Sequence, residues 1–215
     1  MTEPTAGPIP PAGDAPSARP VPTLRAARVY LRPAEKDDLE RFVRWFADGQ
    51  VTRYLALRAP FSLAAEERWF EQMLGSQGKR DYHFVICLLE EGTPIGTAGL
   101  HGINGMEGNA EFGISIGEKA YWNQGYGTEA LHAICDFGFG ALRLERIYLQ
   151  VYAPNKRAQR SYQKAGFVHE GTQRHALFAE GGFWDVDVMS LLRDEWLAQE
   201  RPRSWDGLTS QAPTT

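Results

Sequence analysis

Residues 82–117 read YHFVICLLEEGTPIGTAGLHGINGMEGNAEFGISIG. Three apolar-rich runs (YHFVICLLE, IGTAGLHGI, AEFGISIG) are separated by EGTP and NGMEGN. Such connections are far too short for a crossover, so consecutive runs must pair antiparallel, with glycines serving the turns. The next segment, AYWNQGYGTEALHAICDFGFGAL, changes period from two to that of a helix. A three-stranded meander that feeds a glycine loop and then an apolar helix leaves few architectures open.

The flanks complete the order. ARVYLRP alternates apolar and basic residues and reads as a strand. KDDLERFVRWFADG sets Leu39, Phe42, Val43 and Phe46 on one helical face, with Asp37 or Asp38 as cap. FSLAAEERWFEQMLGS is a second helix, capped by Ser62, with Trp69/Met73 and Phe70/Leu74 spaced four apart. After the glycine loop, RIYLQVY turns Ile147, Leu149 and Val151 one way. NKRAQRSYQKAG is a short helix stopped at Gly166, and FVHEGTQRHALF with FWDVDVMSLL forms a hairpin around AEGG. The expected order is βααβββαβαββ, an α+β fold on one mixed sheet. Residues 1–22 hold seven of the thirteen prolines and cannot bury enough apolar surface to order themselves, so a disordered leader is expected there. Residues 23–198 are expected to be the folded domain, and 199–215 a flexible tail.

The 215 residues carry a net charge of −4 and a pI near 5.8, which argues against a general nucleic-acid binder. There is no run of about eighteen apolar residues for a membrane span, and MTEPTAGPIP lacks the basic and apolar parts of a signal peptide. Cys87 and Cys135 sit in apolar runs and read as buried reduced thiols; with them a cytoplasmic location is expected. His83, His101 and His132 are scattered, and no metal-ligand spacing appears.

The loop at 122–128 opens a helix, whose first amides lack partners and carry about half a positive charge. That is an anion site in waiting. Gly125 and Gly127 lack Cβ atoms and admit both positive φ and a close oxygen. A bare structural turn is the competing reading. Two other phosphate motifs fail: the sixth position of a dinucleotide fingerprint is Ala130, and no Lys-Ser/Thr pair follows as in a P-loop.

Thirty residues on, VYAPNKRAQRSYQKAGF places Asn155 as a helix cap and Tyr162 nearly two turns later on the same face. This pattern, following NQGYGTEA, resembles the GNAT superfamily of acetyl-CoA-dependent N-acetyltransferases over residues 24–198. RVYLRPAEKDDLERFVRWFADGQVTRYL resembles the Rim-type branch, which acetylates ribosomal-protein N-termini. AEFGISIGEKAYWNQGYGTEA with NKRAQRSYQKAGF is similar also to bacterial spermidine acetyltransferases. The resemblance implies a mixed, mostly antiparallel sheet of about seven strands flanked by about four helices. It implies acetyl-CoA as cosubstrate, no metal, and an amine acceptor: a protein N-terminus, a polyamine or another small amine. Relatives are often dimers, so a homo-oligomer is open.

By the same resemblance, strand backbone at Ile114, Ser115 and Ile116 holds the pantetheine arm. Trp122, Asn123, Gln124, Gly125, Tyr126, Gly127 and Thr128 wrap the pyrophosphate. Asn155, Ala158 and Ser161 line the cofactor arm, and Tyr162 points at its sulfur. Many relatives carry Arg or Gln where this chain has Trp122. Tyr162 is the expected general acid for the departing thiolate, against a packed aromatic. Glu111 is the expected base through water, against a solvated carboxylate. Trp45, Tyr54 and Trp69 are candidates for an acceptor pocket, with core packing the stronger reading for Trp69. His169 and His175 read as surface groups near the acceptor end, and Asp185 and Asp187 as a solvated strand face. A non-catalytic CoA-binding module is the alternative function.

Overall fold

A computed structural model describes residues 23–57 and 61–206. Within these, one mixed sheet runs in the order β1-β2-β3-β4-β5-β6-β8-β7. The strands are β1 (Leu24–Arg25), β2 (Val29–Pro33), β3 (Tyr82–Leu88), β4 (Pro94–Asn104), β5 (Asn109–Ile116), β6 (Arg146–Tyr152), β7 (Val168–Ala179) and β8 (Gly182–Leu192). The helices are α1 (Leu39–Ala47), α2 (Gly49–Thr52), α3 (Leu63–Ser76), α4 (Tyr126–Gly140), α5 (Lys156–Lys164) and α6 (Arg193–Leu197). The α+β expectation holds. The described residues form one strand and two helices more than the sequence implied, because β1, α2 and α6 have two to five residues and no readable period.

The sheet divides the core. Its alternating strand positions bury Leu31, Ile86, Leu100, Phe112, Ile147, Leu149 and Val151 against α4. The opposite set, Tyr30, Val85 and Cys87, packs under Phe42, Trp45, Phe70 and Met73 of α1 and α3. Cys87 and Cys135 are both buried and unbridged. Ser62 caps α3 by accepting from the Ala65 amide at 3.2 Å. Asp38 does not cap α1. It is buried, and Arg32 grips it with two 2.7 Å hydrogen bonds.

Every adjacent pair of strands is antiparallel except β5 and β6. Those two pair only where Asn109–Glu111 meets Arg146–Tyr148, although both strands continue. Beyond Glu111, β5 stays on β4 and β6 stays on β8. The sheet therefore splits into a wedge, and its inner edges carry backbone amides and carbonyls with no strand partner across the gap.

The C-terminal stretch differs from the flexible tail expected from residue 199. Buried Asp136 on α4 accepts from Arg201 (2.6 and 3.1 Å), Trp196 (2.9 Å) and the Ser204 amide (2.8 Å), which fastens residues up to 206. The expected leader at 1–22 lies outside the described residues. No helix among them is long and apolar enough to cross a membrane.

Candidate active site

The wedge opens into a cleft of about 550 Å³. Its walls include Glu111, Ile114, Ser115 and Ile116 on β5, Gln150 and Tyr152 on β6, the start of α4, and Asn155, Ala158, Ser161 and Tyr162 at α5. Trp122, Asn123, Gly125, Tyr126, Gly127 and Thr128 line it as well. Gln124 does not: its side chain turns back to donate to the Ala120 carbonyl at 2.6 Å.

The loop is shaped by two left-handed residues, Asn123 (φ 62°) and Gly125 (φ 87°). Gly127, expected to share that freedom, lies inside the first turn of α4 with ordinary helical backbone. Its missing Cβ faces Ile114 and Ile116 at 3.8 Å, so a side chain there would project into the cleft mouth. The amides of Asn123, Gln124, Gly125, Tyr126 and Gly127 donate to no acceptor among the described residues. Five such donors at the positive end of a fifteen-residue helix suit a diphosphate. Trp122 anchors the loop by donating its indole N–H to the Ile116 carbonyl at 2.7 Å, so the departure from the usual Arg or Gln has a structural use. The Arg157 guanidinium lies over that indole, 4.3 Å from its centre.

Four cations at or near the cleft were not singled out from sequence. Arg157, Arg160 and Lys164 line it, all on α5. Arg28, from the turn before β2, donates to the Gln124 carbonyl (2.8 Å) and to Glu129 (2.6 Å) and covers the Tyr126 ring at 4.4 Å. Glu129 is therefore an ion-pair partner as well as a charge at the helix start. No local pattern could have found Arg28, which sits about a hundred residues from its partners.

Asn155 caps α5 by accepting from the Ala158 amide at 3.2 Å. Ser161 and Thr128 share a 2.8 Å hydrogen bond, which ties the first turn of α4 to the second half of α5. Tyr162 stacks edge-on to Phe112 and tilts against Phe167, with centroids at 6.3 and 6.1 Å. Loss of water pushes its phenol up to about 12, so it stays protonated at neutral pH. Burial also raises Glu111, which lines the same cleft.

Several acceptor-side expectations change. Trp45 is core: its indole donates to Glu118 at 2.9 Å and its ring packs on Gly117, where only a glycine leaves room. Tyr54 does line the cleft. Trp69 is half-buried and packs against the core under α1 and α3, as its stronger reading had it, and it also lines a second cavity. His83 and His101 are not scattered, since their rings lie 4.7 Å apart. Asp187 is no solvated carboxylate: it accepts from Thr172 (2.6 Å) and Gln159 (2.8 Å) and lies 3.3 Å from His169. Asp185 accepts from the His175 amide at 2.8 Å. Among the described residues no group of three or more His, Cys, Asp or Glu side chains could hold a metal ion.

A split parallel pair, a glycine-bent loop feeding a helix N-terminus and a half-buried tyrosine form one cleft. The acetyltransferase (GNAT) domain family matches residues 28–168, about two thirds of the chain. The chain is a GNAT acetyltransferase. It is 31% identical over 177 residues to the uncharacterized N-acetyltransferase p20 of Bacillus licheniformis, covering 81% of this chain and 98% of that one. It is 30% identical over 177 residues to the spermidine N(1)-acetyltransferase of Escherichia coli, covering 82% and 92%. Among solved structures, the spermidine N-acetyltransferase of Vibrio cholerae in complex with CoA and spermine superposes with a TM-score of 0.74 at 26% identity, over 79% of this chain and 98% of that one. The cosubstrate of this GNAT enzyme is acetyl-CoA.

Proposed function

We propose that the enzyme moves the acetyl group of acetyl-CoA to a primary amine by direct attack within a ternary complex. The observation that carries this reading is the wedge: one cleft brings the unpaired loop amides, the unpartnered β5 edge and the Tyr162 phenol together. In the reaction the amine nitrogen bonds to the acetyl carbon and the carbon–sulfur bond breaks. The amine loses a proton, and the thiolate gains one.

The residues take distinct parts. The amides of residues 123–127 hold the diphosphate, with Arg157 and Arg160 adding positive charge on the α5 side. The β5 edge near Ile114 supplies N–H donors to the carbonyl oxygen as it gains charge. Tyr162 delivers a proton to the sulfur. Glu111, raised by desolvation and facing the cleft, takes the amine proton through water. The acceptor is a polyamine, another small amine, or a protein N-terminus as in the Rim-type branch. Relatives named for spermidine favour the small amines.

Calorimetry with acetyl-CoA, followed by thiol release over a panel of primary amines, tests the reading. Binding and turnover of at least one amine are expected. Binding without turnover would favour a regulatory CoA module, and no binding would remove the site altogether.

A further inference from the structure

A second cavity of about 470 Å³ lies under α1 and α3, on the sheet face away from α4. It shares Leu55, Ala56, Gly113, Ile114 and Ser115 with the cofactor cleft, so the two spaces meet at β5. Its size is that of a small-molecule site. Its walls are largely aromatic: Phe42, Phe46, Phe61 and Trp69, with Phe46 and Phe61 at 5.7 Å and Phe42 edge-on to Trp69 at 6.2 Å.

The floor is unusual for a sheet. Gly99 and Gly113 are paired across β4 and β5, and the His101 ring lies close to both. A Cβ at Gly99 would meet that ring at 3.1 Å, and one at Gly113 would meet its Nε2 at 3.2 Å. Beside it stands His83, with Trp69 edge-on to His83 at 5.5 Å. Burial, together with the neighbouring imidazole, pushes His83 down to about 4, and burial lowers His101 despite Asp81 at 3.9 Å. The one carboxylate among the described lining residues is Glu66, which burial raises. All three groups report surroundings that oppose charge.

Resting on the acetyltransferase reading, we infer that this cavity receives the acceptor, and that the acceptor is a primary amine on a single aromatic body, an arylalkylamine, rather than a polyamine. The argument is one of charge and shape. A polyamine brings two or more extra ammonium groups, and each must be paired or pay a heavy desolvation cost. Two neutral imidazoles and one disfavoured carboxylate do not pair them. A ring, in contrast, meets four aromatic walls in the edge and offset arrangements that stabilise such contacts. Its amine end then lies toward Gly113 and Ser115, where the cofactor cleft begins.

The test uses the full chain with acetyl-CoA and four amines: 2-phenylethylamine, tryptamine, putrescine and spermidine, read by thiol release. A kcat/KM at least about tenfold higher for an arylalkylamine than for spermidine is expected, a gap of ~1.4 kcal/mol. Phe61→Ala should raise KM for 2-phenylethylamine about 5- to 30-fold and leave the acetyl-CoA Kd unchanged. Phe61→Leu, which keeps apolar volume near the start of α3, should fall between. Spermidine used as well as or better than the arylalkylamines would overturn the inference and leave acetyl transfer to amines standing. An unaltered KM in both Phe61 variants would also overturn it. If acetyl-CoA binds and none of the four is acetylated, this inference falls, and the wider amine panel decides the transferase reading.

Discussion

Tyr162→Phe removes one oxygen and leaves the ring packed on Phe112 and Phe167, so the loss can be assigned to the proton. Its size follows from the site. Burial pushes the phenol up to about 12. An ordinary thiol titrates near 8.5, so in water the transfer from such a phenol to a thiolate would run uphill by about 5 kcal/mol. The cleft closes much of that gap. A sulfur held between the same walls also loses water, and burial raises a thiol as it raises a phenol; Cys135 on α4 is driven well above the usual thiol range by that effect. Donor and acceptor therefore rise together, and the acid remains useful. A positioned general acid contributes about 10²- to 10⁴-fold, so kcat at saturating amine should fall by that factor in Tyr162→Phe. Acetyl-CoA affinity should change little. Stability supplies a second readout with a definite sign. The unfolded phenol ionises near 10 and the folded one near 12, so wild type loses up to about 3 kcal/mol as pH climbs from 10 to 12, and Tyr162→Phe lacks that loss. Denaturant melts of both proteins across pH 9–12 measure the difference. A variant whose kcat stays within about threefold of wild type would refute the acid assignment, whatever the melts show.

Three further outcomes follow from other parts of the molecule. Gly125→Ala forces a side chain onto φ 87° and toward Arg28; it should cost ~1–2 kcal/mol in a thermal melt or weaken acetyl-CoA binding by calorimetry about 5- to 30-fold, according to whether the loop holds or shifts. Asp136→Ala strips the carboxylate from Arg201, Trp196 and Ser204 and leaves buried guanidinium charge behind; a loss of about 3–5 kcal/mol and faster proteolysis near residue 201 are expected, and an unchanged melt would contradict the network's role. Acidification should destabilise the fold between pH 6.5 and 4, because burial holds His83 and His132 down to about 4 while unfolded imidazoles take protons near 6.5; His132→Gln should flatten the pH dependence of Tm, and parallel curves would show that His132 contributes nothing.

The parts of this enzyme that were legible in its sequence are those made by neighbours along the chain. The meander from Tyr82 to Ile116, the capped start of α5 at Asn155 and the glycine-bent entry to α4 each rest on spacing within about twenty residues. What stayed hidden depends on register between distant strands. Nothing local says that β5 and β6 stop pairing at Glu111, yet that break makes the cleft. Arg28 reaches Gln124 and Glu129 only because β2 passes the start of α4, and Trp45 leaves the acceptor side because Gly117 yields it a place in the core.

The histidines show how close the signal came. His83 and His101 look unrelated as isolated letters, but strand interiors rarely spend glycines without a reason, and two of them, Gly99 and Gly113, stand opposite each other in the β4–β5 register. A glycine pair facing across two strands leaves a shallow trough on one face of a sheet. His101 lies two residues from Gly99 and so projects from that same face, while His83 is paired with Gly99 from the other side. The trough leaves room for a ring, so one imidazole reaches both glycines and still lies 4.7 Å from the next. The same register that sets Ser115 on the wall shared by the two cavities thus sets an imidazole-covered floor beside it. The acceptor's chemistry is written in which strand positions lack a Cβ as much as in which carry a charge.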